Sequence, residues 1–256
     1  MRKTIIAGNW KMFKTTTEAI ELANGLQREL YKLEETVDIL LCPPFTALSE
    51  VSEVITGSNI KLGAQNVYWK DEGAFTGEIS PLMLKDLGCA FVIIGHSERR
   101  QFFGETNESV NNKAKAALGH GLTPIICVGE TLQEREAGST FKVLEDHVQN
   151  GLKGIEESAA AAMVIAYEPV WAIGTGKTAT SQQAQEAHEY IRGLLAKMYG
   201  QEAAAQVRIQ YGGSVKPENI SELMAQPDVD GALVGGASLK VETFAQIVKK
   251  AAEVKK

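Results

Sequence analysis

The sequence predicts an α/β protein built as a single (β/α)8 barrel, eight parallel strands ringed by helices. Short apolar runs recur eight times and helix-like stretches separate them. Eight units in 256 residues leave roughly 32 residues each, the size of one strand–helix unit in such a barrel. No Pro/Gly/Ser-rich linker or break in composition divides the chain, so residues 1–256 are expected to form one domain. An open doubly wound sheet is the structural rival, because counting elements does not close a sheet.

The strands are expected at Thr4–Ala7, Val37–Cys42, Ile60–Ala64, Phe91–Ile94, Pro124–Val128, Met163–Tyr167, Val207–Tyr211 and Gly231–Val234. Most are nearly continuous apolar runs, as strands covered on both faces must be. Helix starts are written between them. Thr15-Thr16-Thr17-Glu18, Thr131-Leu132-Gln133-Glu134 and Thr180-Ser181-Gln182-Gln183 have the S/T-x-x-E/Q form, which satisfies the free N–H groups of a first turn. Pro217 is placed for the first turn of a helix over Glu218–Ala225.

With 44% hydrophobic and 23% charged residues, the chain is composed to fold around a core and not to remain disordered. Its 26 Lys+Arg against 32 Asp+Glu give a net charge of −6, which argues against a nucleic-acid partner. A pocket's local field can still receive a small anion. The longest apolar run, Ala159–Tyr167, is about half of what a membrane-spanning helix needs. The first ten residues lack the long apolar segment of a signal peptide. Cys42, Cys89 and Cys127 are odd in number, far apart and set in apolar sequence, so no disulfide framework or thiolate metal site is expected. A cytoplasmic protein without a membrane partner is the expectation.

In either architecture chemistry belongs at the carboxyl ends of the strands. Asn9 and Lys11 follow the first strand, His96-Ser97-Glu98-Arg99 the fourth and Glu168-Pro169 the sixth. Gly212-Gly213-Ser214 follows the seventh and Gly235-Gly236 the eighth. Each taken singly is an ordinary loop residue; five such positions at five strand ends make a rim. The glycine turns can present bare backbone N–H groups to a phosphate. The stretch Ala172–Thr178 imitates a P-loop, but the first required glycine falls on Trp171 and the motif fails. Small and glycine residues between Pro169-Val170-Trp171 and Lys177-Thr178-Ala179 suit a mobile lid instead.

Taken together, Gly8-Asn9-Trp10-Lys11-Met12, Gly95–Arg100, Ala166–Gly176, Tyr211–Val215 and Leu233–Ala237 resemble the triosephosphate isomerase family, in order and over the whole chain. The resemblance implies a TIM barrel that interconverts dihydroxyacetone phosphate and glyceraldehyde 3-phosphate through an enediolate, without cofactor or metal. It implies Glu168 as the base, His96 as a neutral electrophile whose charged form the following helix start disfavours, and Lys11 as the fixed positive charge. Asn9 would hold a substrate oxygen, and Glu98 would partner Lys11 or shuttle protons. Gly174, Ser214, Gly235 and Gly236 would grip phosphate under a lid over residues 169–179. The loop Gly73–Glu78, with Thr76, would reach into a second copy, implying a homodimer supported by Gln65 and Arg99. Cys127 reads as a core thiol, and His120, His147 and His188 as surface or loop residues.

Two other readings are open at this stage. A Schiff-base aldolase on a barrel would need a late-strand lysine of lowered pKa, whereas Lys11, at the first strand and near carboxylates, is better suited to stay charged; a metal-dependent epimerase would need a His/Asp/Glu cluster with ligand spacing, and none is written here. A catalytically silent scaffold would have no need of Asn9, Lys11, His96 and Glu168 together.

Overall fold

Side chains that alternate between two apolar surroundings make the eight runs continuous in sequence. The computed structural model describes residues 2–254 apart from 32, 34 and 35. Its strands are β1 (Thr4–Asn9), β2 (Val37–Cys42), β3 (Ile60–Ala64), β4 (Phe91–Ile94), β5 (Thr123–Val128), β6 (Val164–Tyr167), β7 (Arg208–Tyr211) and β8 (Gly231–Val234). Ile5, Ala7, Leu40, Cys42, Ile93, Ile125, Cys127 and Ala166 form a cluster enclosed by the strands. Their neighbours Ile6, Ile39, Leu41, Ile94, Ile126 and Ile165 join the larger core shared with the helices. Most strand positions are covered on both faces, so polar alternation is weak, with Asp38, Lys61, Arg208 and Gln210 as polar exceptions.

All eight strands are parallel and pair in sequence order, and β1 closes on β8. That closure removes the doubly wound alternative. The joining register sets Ile5 against Gly231, where an added Cβ would stand 1.8 Å from the Ile5 carbonyl oxygen. Across the amino end of the barrel, Asp38 accepts from Arg208 NH1 at 2.6 Å and lies 2.8 Å from Lys3 Nζ and 3.1 Å from Lys61 Nζ. Burial pushes this carboxyl up, but the three cations overcome it and hold the pKa at about 2.

The three expected capping boxes form, with Thr15, Thr131 and Thr180 each exchanging hydrogen bonds with the residue three further on. A fourth, Thr106 with Ser109, uses a serine hydroxyl where the pattern asks for Glu or Gln and is not read in advance. Boundaries differ at several ends. β1 continues to Asn9, so this residue is part of the strand and not of the loop after it. β6 and β7 each begin one residue later than expected, and β5 one earlier. Pro217 lies in a turn, and the helix runs only over Ile220–Met224, because Asn219 Oδ1 accepts from Lys216 N and holds the turn open.

Of the three other histidines, His188 and His147 need correction, whereas His120 stands partly exposed in the turn after its helix, as expected. His188 is wholly buried on the helix Ser181–Gln206, with Nδ1 3.1 Å from the Asp228 carbonyl and its ring edge-on to Tyr167. His147 is half-buried on the helix Thr140–Gly151 and accepts from Gly129 N, while His120 caps the helix Asn107–Gly119 and lies 3.1 Å from Asp71. Imidazoles suit such half-polar niches between sheet and helix, a context that one-dimensional spacing does not reveal. Cys42, Cys89 and Cys127 are buried and free. Among the described residues no helix is long and apolar enough to cross a membrane.

Two glycines separate packing from helix propensity. Gly231→Ala forces a backbone shift at the barrel seam and is expected to cost at least about 1–3 kcal/mol, read as a lower midpoint in denaturant. Gly193→Ala, in a helix with open space at that position, is expected to add about 0.5–1 kcal/mol. Asp38 contributes stability that is complete above its unfolded pKa near 4 and is lost as pH falls toward 2. In Asp38→Asn that part of the acid-unfolding slope disappears; an unchanged slope would remove the cation cluster as its origin.

Candidate active site

The end of β1 delivers two of the expected groups. Asn9 is buried, and its Oδ1 accepts the Lys11 backbone N–H at 3.0 Å. Lys11 itself stands at φ 52, a left-handed conformation uncommon for a side-chain-bearing residue and typical of strained functional positions. Gln65 holds it there, its Nε2 donating to the carbonyls of Lys11 and Cys42 at 2.9 Å each. The strained turn aims the ammonium at Glu98 Oε1, 2.5 Å away, and runs the stem past Gly235, where a Cβ would lie 3.3 Å from Lys11 Cε.

After β4, His96 is the N-cap of the helix Ser97–Phe103, and its Nδ1 accepts the Glu98 N–H at 3.2 Å. An Nδ1 that accepts must be unprotonated, which places the proton on Nε2 and makes the ring a neutral donor. That Nε2 points at Glu168, 2.9 Å from Oε1. The contact is close but poorly directed, since Oε1 has no well-aligned donor, whereas Oε2 accepts the Ser97 N–H at 2.8 Å. Glu168 is only 2% exposed. Burial pushes its carboxyl up, yet His96, the Ser97 N–H and Lys11 together hold it below the usual range. Burial likewise pushes the imidazole down, and the charge of Glu168 reverses this to a net rise.

The glycine turns close the opposite wall. Gly212 and Gly213 admit no side chain: a Cβ on the first would meet Glu168 Cγ at 2.9 Å and on the second the Tyr211 hydroxyl at 2.2 Å. Asn9, Lys11, His96, Glu168, Gly174, Ser214, Gly235 and Gly236 all line one cavity of about 260 Å³. Carboxylate, imidazole N–H and ammonium thus share one cavity with backbone-rich turns, Gly212 packed against Glu168 and Gly235 against the Lys11 stem. Of the residues named from sequence, Glu98 stands off this wall, behind Lys11 and more than a third exposed.

The lid segment is anchored at its root and open at its tip. Val170–Ala172 form a single 3-10 turn, and residues 174–178 are exposed. Glu130, fully buried, accepts from Trp171 Nε1 at 2.8 Å, Tyr167 Oη at 3.1 Å and Arg135 NH1 at 3.1 Å, all on Oε1. Sequence reasoning missed Glu130, although Gly129-Glu130 is the β5 strand end and the same rule of position would have found it. It also missed Ile173, Lys216 and Leu233 on the cavity wall.

Ser97→Pro isolates the backbone donor. Proline suits the first helical position, and His96 at φ −50, ψ 140 already has the backbone that precedes proline. The helix should therefore survive while Glu168 loses its N–H partner. The Glu168 carboxyl is expected to titrate at higher pH than in the parent, measured by 13C NMR; an unmoved titration would show that Ser97 contributes nothing to its ionisation.

A family model described as "Triosephosphate isomerase" matches residues 4–251. The chain is 59% identical over 249 residues to the triosephosphate isomerase of Geotalea uraniireducens, covering 97% of this chain and 99% of that one. It is 61% identical over 252 residues to that of Carboxydothermus hydrogenoformans, with the same coverage. It is 60% identical over 248 residues to that of Moorella thermoacetica, covering 97% and 98%. A closed parallel barrel, five strand ends converging on one cavity and near-complete alignment with these relatives agree, and the chain belongs to the triosephosphate isomerase family.

Proposed function

We propose that Glu168, His96, Lys11 and Asn9 perform the family's reaction at this cavity. The reaction is the interconversion of dihydroxyacetone phosphate and D-glyceraldehyde 3-phosphate, the transfer of a proton between adjacent carbons. The observation that carries the residue assignment is that His96 Nε2 and the Glu168 carboxylate meet at 2.9 Å on the wall of a cavity also lined by Gly174, Ser214, Gly235 and Gly236. A triose phosphate lying along it puts its reacting carbons against Glu168 and its phosphate against backbone N–H groups.

In this reading the substrate carbonyl takes the place of the Glu168 carboxylate at His96 Nε2. Glu168 then removes a proton from the adjacent carbon. The C–H electron pair becomes the C=C bond of the enediolate and the carbonyl pair moves onto oxygen, where the His96 N–H and the Lys11 ammonium stabilise it. His96 then gives its Nε2 proton to the first oxygen and takes the hydroxyl proton from the second, and Glu168 returns the abstracted proton to the neighbouring carbon, which completes the isomerisation. A neutral imidazole is the better-matched donor, because its acidity lies nearer that of an enediol. Closure of residues 169–179 would exclude water and hold the phosphate ester bond in the plane of the enediolate, where it is poorly aligned for elimination.

A homodimer is part of the same proposal. Residues 71–78, which include Thr76, are exposed, as are Met12 (94%), Phe102 and Phe103 (68% each) and Leu82 and Met83 (51% each). A groove lined by Met12, Phe45, Gln65, Glu98, Arg99 and Phe103 lies directly beside Lys11 and His96 and suits the corresponding loop of a second copy. Arg99 reaches Glu105 at 2.5 Å on the wall of this groove. The free, buried thiols fit a cytoplasmic setting.

Glu168→Asp withdraws the carboxylate by one methylene and is expected to lower kcat about a hundredfold with KM little changed; an unaltered kcat would remove Glu168 as the base. Deleting Ile173–Gly176 is expected to leave the fold intact and divert intermediate to methylglyoxal, whereas clean isomerisation by the shortened chain would contradict the lid. Sedimentation equilibrium should give a two-chain mass that Thr76→Arg reduces to one, with kcat falling alongside.

A further inference from the structure

Lys216 lines the same cavity as Lys11 and stands on the turn after β7, two residues after Ser214. It is exposed, and among the described residues no carboxylate lies within ion-pair distance of its ammonium group. Its backbone is nevertheless held: Lys216 N donates to Asn219 Oδ1 at 2.8 Å, Asn219 Nδ2 donates to the Ser214 carbonyl at 3.0 Å, and Lys250 Nζ donates to the Pro217 carbonyl at 2.7 Å. A pinned backbone carrying a free cation is a way to keep a charge at one place without committing it to a protein partner.

The charge balance of the cavity shows why that matters. Lys11 is spoken for at 2.5 Å by Glu98, and Glu168 adds a negative charge on the wall itself. The chain as a whole carries −6, so a phosphate dianion approaching from solvent meets a repulsive long-range field. With Lys11 held by Glu98, Lys216 is, among the described residues, the cation on the cavity wall that has no ion-pair partner to set against the charge of Glu168.

We propose that Lys216 is an electrostatic positioning residue, a fixed cation at the phosphate end of the cavity that raises the rate of capture of anionic substrate without taking part in proton transfer. This rests on the placement of the reaction at this cavity. The Coulomb interaction of one exposed lysine with a dianion is modest once docking is complete, because solvent screens it. During approach it acts over several ångströms and biases the encounter toward the turn that receives the phosphate.

The test is kcat and KM as a function of ionic strength for the parent, Lys216→Gln, Lys216→Glu and Lys216→Arg, with far-UV circular dichroism on each. At low salt Lys216→Gln is expected to lower kcat/KM about threefold and Lys216→Glu about tenfold, with kcat unchanged and Lys216→Arg close to the parent. The differences should vanish as salt approaches about 1 M, where the screening length falls to about 3 Å. With D-glyceraldehyde, which lacks the phosphate, the variants should match the parent at every salt concentration. A loss that persists in high salt, appears in kcat, or extends to D-glyceraldehyde would overturn the steering role and make Lys216 a structural residue. Glu168→Gln, measured in parallel, separates the two ideas: full activity there would remove the catalytic reading itself, whereas a flat Lys216 series beside an inactive Glu168→Gln removes only the steering.

Discussion

Closure of β1 on β8 is the constraint from which the rest follows. Paired one residue at a time from Ile5 with Gly231 to Gly8 with Val234, the two strands bring Asn9 and Lys11 beside Gly235 and Gly236, more than two hundred residues away along the chain. An open sheet would leave these groups on opposite edges. The seam demands glycine at 231, since the neighbouring carbonyl occupies the space a side chain would need. A residue with no chemistry of its own therefore sets the distance between the ammonium and the turns facing it.

Within the rim so formed, Glu168 occupies a balanced position. Burial opposes its charge, while an imidazole, a backbone N–H and an ammonium favour it. A carboxylate fixed through Oε2 by the Ser97 N–H, while Oε1 has no well-aligned donor, is restrained on one oxygen only. The strained Lys11 turn and the tight Gly212-Gly213 turn show where the fold accepts local cost to bring these groups close. Glu130 plays the complementary part, gathering three donors on one oxygen and fastening the root of the lid to β6 while its tip remains exposed. Rigid root and solvated tip are what a hinged segment requires.

Much of this was legible in advance, and unevenly. Strand positions such as Val37–Cys42, Ile60–Ala64, Phe91–Ile94 and Gly231–Val234 agree to the residue, because a strand covered mostly on both faces is largely apolar even where Asp38 or Lys61 interrupts it. Capping boxes are equally local and were found wherever a Glu or Gln completed them. Errors lie where a side chain answers to a distant partner. His188 is buried with the Asp228 carbonyl, 40 residues on, against its Nδ1, while the turn around Pro217 is a local exception in which Asn219 bonds back to Lys216 and Ser214. Glu130 escaped notice although its neighbours Tyr167 and Trp171 are close to the motif that carries Glu168, since nothing in spacing says that three donors will converge on it.

By itself the sequence determined the element order, the dry character of the strands, the helix starts and the inventory of chemical groups at the strand ends, all of which are set by residues near one another in the chain. Tertiary structure alone decided closure, the left-handed turn that aims Lys11, the tautomer of His96 and the pairing of Glu168 with Ser97 and His96. The division has a physical origin. Propensity and hydrophobic period act over a few residues, whereas orientation, protonation and cavity shape depend on what burial brings within about 3 Å from remote parts of the chain.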